Sequence, residues 1–136
     1  SIHIRGGDYL SSKKDNVLFG NICTKDYYMK AINYIKNKIE NPNFLIFTND
    51  KEYAESLFKY DNFQIIDWNR NRESFRDMYL MSLCKHNIIA NSSFSWWGAW
   101  LNKNSSKVVI APHKWFNDNN INQNEIVPKD WIRVGL

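Results

Sequence analysis

The sequence has few of the residues from which disulfide frameworks and metal sites are built. Its 136 residues include only two cysteines, Cys23 and Cys84, which are too distant for a C-x-x-C site and too few for a disulfide scaffold. Two reduced, partly buried thiols in a cytosolic protein are therefore predicted. The three histidines, His3, His86 and His113, lack H-x-x-x-H spacing, and no Asp-x-Asp pair occurs. The sequence therefore predicts no metal site.

Glycine-rich phosphate loops, leaders and long apolar runs are also missing. The five glycines form neither a Walker A motif nor G-x-G-x-x-G, which argues against an NTPase and a dinucleotide enzyme. Neither a run of about 18 apolar residues nor a charged-then-apolar leader is visible, so no membrane span or signal peptide is predicted. The strand-like pattern from Ser1 to Arg5 starts without methionine, so we expect one domain, residues 1–136, of a larger protein.

Charge and aromatic content are the positive features of the composition. The net charge is +4 and the basic residues are scattered, which fits a phosphate-bearing ligand, an anionic membrane surface or nucleic acid equally well. Aromatic residues make up 15% of the chain and include six tryptophans. Tryptophan either stacks on a ligand or fills a core, and composition leaves both open.

Segments with strand and helix patterns alternate along the chain. The predicted strands cover about 1–5, 44–48, 63–66, 87–90, 108–111 and 131–132, and the predicted helices about 24–40, 51–59, 74–86 and 94–102. Polar sequence without a predicted element runs to Asn21. Because helices between strands require parallel neighbours, the predicted fold class is α/β, a doubly wound, Rossmann-like parallel sheet flanked by helices. Ligands bind beyond the carboxyl ends of the strands in such sheets.

The first candidate site lies at the end of the first strand. His3 and Arg5 share one side of it because side chains alternate, and Gly6 and Gly7 let the backbone approach a ligand closely. Arginine can grip a diphosphate through two parallel hydrogen bonds, and a neighbouring imidazole can bond a phosphate or a base edge. A surface pair of Arg5 and Asp8 is the structural alternative.

Three serines and an asparagine follow the fourth strand. Asn91, Ser92, Ser93 and Ser95 precede or open a helix, whose N-terminal amides and dipole attract anions. Helix capping explains one of these serines but not all of them. We therefore predict a phosphate-binding loop, with a purely structural loop as the alternative.

Two further polar positions complete the candidate residues. Asp77 opens a predicted helix, where the dipole stabilises a carboxylate. A carboxylate can also accept the paired N1 and N2 hydrogens of guanine. Asn49 lies in the loop from Thr48 to Asp50, which follows another predicted strand.

Taken together, these segments resemble glycosyltransferase family 11, the α-1,2-fucosyltransferases, in their short bacterial form. The resemblance runs through essentially the whole chain. It is carried by the H-I-R-x-G-D-Y strand and loop, the I-F-T-N-D strand end, the long block from Asp77 to Leu101, the V-I-A-P-x-x-W-F segment and the P-x-x-W-I close. The long block is the most specific part.

The resemblance implies an activity and an architecture. The implied reaction is a metal-independent, inverting transfer of L-fucose from GDP-fucose to the 2-hydroxyl of a galactose-containing acceptor, with no cofactor. The implied architecture is GT-B, in which residues 1–136 bind GDP-fucose and an absent N-terminal domain supplies the acceptor side. A cytoplasmic location and no nucleic-acid partner are expected, and a peripheral contact with the inner face of the membrane is left open.

The resemblance also implies roles for single residues. Arg5 would grip the donor diphosphate and Asp77 would contact guanine. The predicted donor-binding residues are His3, Arg5, Asn49, Asp77, Asn91, Ser92, Ser93 and Ser95. Asp8 is the candidate general base, although it could be a structural partner of Arg5 and the absent half could supply the base. The family usually has H-x-R-R-G-D-Y, and Gly6 replaces the second arginine, which implies weaker phosphate neutralisation.

Two functions of other classes stay open at this point. A non-catalytic carbohydrate- or nucleotide-binding domain would use Trp96, Trp97, Trp100 and Trp115 as a stacking platform. A nucleic-acid-binding domain would lose affinity steeply as salt is raised.

Overall fold

The computed structural model describes residues 1–5, 13–58, 62–69 and 71–135, except for the side chains of residues 14 and 15. The strands are β1 (Ile2–Ile4), β2 (Phe44–Thr48), β3 (Phe63–Ile66), β4 (Asn87–Ile88), β5 (Val109–Pro112) and β6 (Ile132–Val134). The α-helices are α1 (Lys13–Phe19), α2 (Lys25–Lys38), α3 (Lys51–Leu57), α4 (Phe75–Leu83) and α5 (Ser93–Trp100), and a 3-10 helix covers Asn71–Glu73.

The six strands form one parallel sheet with the order β3-β2-β1-β4-β5-β6. This confirms the predicted doubly wound α/β class. The central strand is β1, where Ile2 pairs with Ile46 on one side and with Ile88 on the other. The strand order reverses between β1 and β4, and such a switch point opens a crevice beyond the carboxyl ends of the strands.

Helix α2 shows how the local sequence builds the elements around the sheet. The Thr24 side chain accepts a hydrogen bond from the Tyr27 amide and caps the first turn. Ala31, Ile32 and Ile35 recur at the spacing of one helix face and are buried in the main core with the isoleucines of β1, β2, β4 and β5. Burying one such side chain stabilises the fold by about 1.5–3 kcal/mol. The helix predicted over 24–40 is therefore confirmed.

Helix α1 was missed by the sequence analysis, which expected no element between the first strand and Asn21. Its seven residues have no strong apolar periodicity, and so short a helix is marginal on its own. Contacts with a distant loop hold it instead. The Asn117 amide donates to the Leu18 carbonyl at 2.9 Å, and the Asn117 side chain donates to the carbonyls of Val17 at 3.0 Å and Gly20 at 2.9 Å. The C-terminal carbonyls of α1 thus find partners about a hundred residues away in the chain.

Helix α4 is shorter than the predicted 74–86. Two buried asparagines fix its end: the Asn87 side chain donates to the Met81 carbonyl at 2.8 Å, and the Asn102 side chain donates to the Cys84 carbonyl at 2.7 Å. Asn102 also donates to Asn87 at 2.7 Å. These side chains satisfy carbonyls at the end of the helix, so the chain can leave helical geometry at Cys84 and enter β4. In the part of the chain that the structure describes, no helix has the length and apolar character needed to cross a membrane.

Candidate functional site

A cavity of about 420 Å³ opens beside the carboxyl ends of β1, β2 and β3. Four of the predicted site residues line it together: His3, Arg5, Asn49 and Asp77. Phe94, from the first turn of α5, closes another part of the wall. A volume of this size lies in the range of small-molecule sites.

His3 and Arg5 reach this cavity from the central strand. Their alternation with Ile2 and Ile4, which point into the main core, places both polar side chains on the opposite side of β1. His3 is only 5% exposed, and its ring lies 5.6 Å from the ring of Phe94. The predicted pairing of an imidazole and a guanidinium on one face is confirmed.

Asp77 lies in the first turn of α4, almost fully buried at the cavity wall. The Asn69 side-chain amide donates to the Asp77 carboxylate at 2.7 Å. Burial raises the pKa of Asp77 above its ordinary value of 3.8, and the hydrogen bond from Asn69 lowers it in part. Asn69 therefore orients the carboxylate and favours its charged form.

The sequence analysis missed the contribution of the loop after β3. Asp67 and Asn69 from this loop line the cavity with Lys51, which opens α3. Lys51 and Asp67 form an ion pair at 3.0 Å across the cavity wall. Ligands bind beyond the carboxyl ends of parallel strands, and β3 ends at the same edge of the sheet as β1 and β2. The loop after β3 could therefore have been included among the candidates.

A second, smaller cavity of about 190 Å³ also borders Arg5. Its lining includes Arg5, Asn91 and Tyr53. Arg5 lines both cavities and so stands between the β1 end and the loop after β4. The end of β1 and the start of the loop after β4 therefore line one cavity.

The Asn91 side chain is fully engaged inside the protein. It donates to the carbonyls of Phe19 at 3.1 Å and Trp115 at 3.2 Å, and its oxygen accepts a bond from the Cys23 thiol at 3.4 Å. Burial raises the pKa of Cys23 to about 12, which keeps this thiol protonated as a donor. Asn91 thus ties three loops together beside Arg5.

The three serines differ in exposure. Ser95 is 0% exposed and donates to the Ala90 and Ser92 carbonyls at 3.5 and 3.4 Å, and Ser92 is also buried. Ser93 opens α5 and is exposed. These contacts give the Ser95 side chain a structural role in the turn. The amides in the first turn of α5 have no hydrogen-bond acceptor within their own helix. Phosphate binding by the serines stays a prediction.

The model of the family described as Glycosyl transferase family 11 matches residues 1–135. The chain belongs to glycosyl transferase family 11.

Curated relatives agree with the family assignment. The chain is 40% identical over 135 residues to the O-antigen biosynthesis glycosyltransferase WbnK of Escherichia coli, covering 98% of this chain and 44% of the relative. It is 40% identical over 139 residues to an alpha-1,2-colitosyltransferase of Escherichia coli, covering 98% of this chain and 47% of the relative. A galactoside 2-alpha-L-fucosyltransferase of Caenorhabditis elegans is 26% identical over 148 residues, covering 99% of this chain and 39% of the relative. No solved structure gives a significant match.

The family 11 chain spans about half the length of the first two of these relatives. Residues 6–9 of its first motif, among them Gly6 and Asp8, lie outside the described residues. The role of Asp8 as general base, and the effect of Gly6 in place of the usual second arginine, therefore stay predictions.

The tryptophans of the family 11 chain do not form the four-residue stacking platform considered above. Trp115 is buried in a core cluster with Trp131. Trp96 is partly buried, and its indole nitrogen donates to the Ile126 carbonyl at 2.7 Å. Trp97 and Trp100 are each about half exposed. A sugar-binding platform of all four side chains is therefore not present in the structure.

Proposed function

We propose that this chain forms the donor-nucleotide site of an α-1,2-fucosyltransferase, which transfers L-fucose from GDP-fucose, with inversion, to the 2-hydroxyl of a galactose-containing acceptor. The single observation that carries the proposal is the shared cavity of Arg5 and Asp77. The guanidinium of Arg5 matches the diphosphate end of guanosine diphosphate, and the carboxylate of Asp77, which can only accept hydrogen bonds, matches its guanine end. Family membership supports a nucleotide-sugar donor and a glycan acceptor.

The cavity offers separate partners to the two ends of the nucleotide. Arg5 supplies positive charge for the diphosphate, and Asp77 supplies acceptors for the paired N1 and N2 hydrogens of guanine. Lys51 is paired with Asp67 and adds an N–H donor at the same wall. His3, which lines the cavity beside Arg5, adds a further hydrogen-bonding group. These side chains and the N-terminal amides of α5 would neutralise the charge of the diphosphate without a divalent cation. Metal independence is therefore part of the proposal.

The proposed reaction is a direct displacement at the anomeric carbon. The acceptor oxygen forms a bond to that carbon as the bond to the diphosphate oxygen breaks, and a base takes the acceptor hydroxyl's proton. Charge grows on the leaving GDP, and Arg5 stabilises it in the transition state more than in the ground state. Asp8 or a residue of a longer protein would be the base, in a GT-B arrangement whose other half binds the acceptor. The chain's coverage of about half of its relatives supports that arrangement.

The binding half of the proposal is tested by thermal unfolding of the chain with GDP, ADP, GMP and free galactosides. A GDP site predicts a rise in Tm with GDP that grows with the ligand concentration, a smaller rise with GMP because it lacks the second phosphate, and little with ADP or sugars. Stabilisation by galactosides but not by GDP would instead favour a carbohydrate-binding domain.

The transfer half is tested with the longer protein and galactose-terminated acceptors. Consumption of GDP-fucose that persists in EDTA is the expected result. Colitose is the second candidate donor sugar, because the colitosyltransferase relative is more similar to this chain than the listed fucosyltransferase of Caenorhabditis elegans. Competition between GDP-fucose and nucleotide-activated colitose decides between the two sugars.

Removal of the Asn69 amide is expected to make GDP binding more sensitive to acid. The Asn69→Ala variant loses the bond that lowers the pKa of Asp77, so that pKa rises further above 3.8. Guanine is bound by the charged carboxylate, so affinity is lost as pH falls through this pKa, and the loss begins at a higher pH in the variant. Calorimetric titration with GDP across the acid range measures the shift.

Ser74→Ala is the matched control for this experiment. Ser74 lines the same cavity, and its side chain makes no capping bond at α4. Its pH profile should match that of the unaltered chain. An Asn69→Ala profile that also coincides with it would contradict a link between Asn69 and the charge of Asp77.

A further inference from the structure

Lys51 and Asp67 form an ion pair in the wall of the cavity that Arg5 and Asp77 share, which we call the donor cavity. The charged atoms of the pair are 3.0 Å apart, and the two side chains are 51% and 28% exposed. Ion pairs with this degree of exposure contribute little to the stability of a fold. Stability is therefore a weak reason for a carboxylate in a cavity that also has to receive a negatively charged diphosphate.

The order of the strands places this ion pair in the middle of the donor cavity. The strands β1, β2 and β3 are neighbours that end level with one another in the sheet. Arg5 directly follows β1, Lys51 comes shortly after β2, and Asp67 directly follows β3. Because neighbouring strands lie about 4.8 Å apart, the loops after β1 and β3 are separated by about 10 Å. The ion pair joins the loops after β2 and β3 within this span.

The ribose of a nucleotide joins the base to the diphosphate, so it has to cross the same span. In the proposed function Arg5 binds the diphosphate beside β1, and Asp77 binds guanine where Asn69 holds it, beside the loop after β3. Asp67 precedes Asn69 by two residues, about 6–7 Å in extended chain. Both side chains line the cavity, and the Asp67 carboxylate reaches Lys51 on the side of β2. Asp67 therefore lies between the group for guanine and the group for the diphosphate.

A carboxylate suits the two adjacent hydroxyls of ribose. Each hydroxyl is an O–H donor, and an ionised carboxylate only accepts hydrogen bonds, through two oxygens with several acceptor positions. The ammonium group of Lys51 offsets the charge of Asp67, so the carboxylate repels the diphosphate less than an unpaired one would. In dinucleotide-binding α/β sheets a carboxylate also hydrogen-bonds a ribose hydroxyl.

We propose that Asp67 binds the ribose hydroxyls of the donor and makes the cavity selective for ribonucleotides over deoxyribonucleotides. The inference rests on the proposed GDP site and adds a specificity-determining residue to it. Lys51 is a positioning residue, because it holds the carboxylate of Asp67 and balances its charge. The loop after β3 then serves both the base, through Asn69, and the ribose, through Asp67.

Calorimetric titration of the chain with GDP and with 2′,3′-dideoxy-GDP, which lacks both hydroxyls, tests this role. GDP should bind at least about tenfold more tightly, because a hydrogen bond to a charged group contributes a factor of this size. In the Asp67→Ala variant the two ligands should bind about equally well. The ratio of the two affinities is the readout, because removal of the carboxylate also frees Lys51 and so changes the affinity for both ligands. A merely structural ion pair would leave this ratio unchanged in the variant.

Glu55→Ala is the matched control, since Glu55 is an exposed carboxylate on the helix that begins with Lys51 and lies outside the lining of the donor cavity. Its ratio should equal that of the unaltered chain. Equal binding of GDP and the dideoxy analogue by the unaltered chain, a comparison that needs no variant, would overturn this inference and leave the proposed function intact. A ratio that persists in a folded Asp67→Ala chain would also overturn it. Absence of GDP binding to the unaltered chain would contradict the proposed function itself, and this inference with it.

Discussion

Replacement of Arg5 by alanine is expected to lower the rate of fucosyl transfer by about a hundredfold or more. Arg5 directly follows β1 and lines both cavities at the carboxyl edge of the sheet. In the proposed reaction its guanidinium stabilises the charge that grows on the departing diphosphate. Loss of one such preorganised contact costs about 2.7–4 kcal/mol in the transition state. Initial rates of GDP release in the longer protein measure the effect.

Arg5→Lys separates charge from geometry at this position. Lysine keeps the positive charge but lacks the planar fork that bonds two phosphate oxygens at once, so an intermediate rate is expected. The Arg5→Ala variant should still fold, because Arg5 lies at the end of β1 and is only half-buried. Transfer at an undiminished rate in a folded Arg5→Ala variant would refute the role of the guanidinium.

Replacement of Asn91 by alanine should destabilise the fold by about 2–4 kcal/mol. The substitution leaves the Phe19 and Trp115 carbonyls without their donor and the Cys23 thiol without its acceptor. A fully buried polar group that loses its partner costs about 1–3 kcal/mol. Only the bond to the Trp115 carbonyl is fully buried, so the other two groups add less than the full cost. Urea unfolding followed by circular dichroism gives the difference in the free energy of unfolding.

Asn33→Ala provides the comparison for this measurement, since Asn33 is exposed on α2. Its free energy of unfolding should stay within about 0.5 kcal/mol of the unaltered chain. If Asn91→Ala is equally mild, the three loops near Arg5 do not depend on the Asn91 side chain.

The fold was predictable because its signals are local and repeated. Phe44 to Thr48 is a continuous apolar run, and α2 has both a capping threonine and regular apolar spacing. Parallel pairing then follows from alternation alone. Helix α1 could not be found in this way, because its stability comes from the tertiary bonds of Asn117. Tertiary contacts of this kind leave no periodic trace in the sequence.

The site was predictable where strand periodicity and strand ends determine position. His3 and Arg5 share a face by the two-residue period, and Asn49 and Asp77 join them at one edge. The bond from Asn69 to Asp77 was not foreseen, because it depends on how the loop after β3 folds back onto α4. The burial of Ser95 could not be predicted either. The local sequence at the start of a helix does not show whether a serine faces the solvent or the protein interior.

The attachment of α1 to Asn117 has a consequence for synthesis on the ribosome. The helix is made about a hundred residues before the donor that completes its last turn. The bonds at the end of α1 therefore cannot form until Asn117 has left the exit tunnel of the ribosome. Such long-range closure is slow compared with local helix formation, so α1 is among the last elements of this chain to mature.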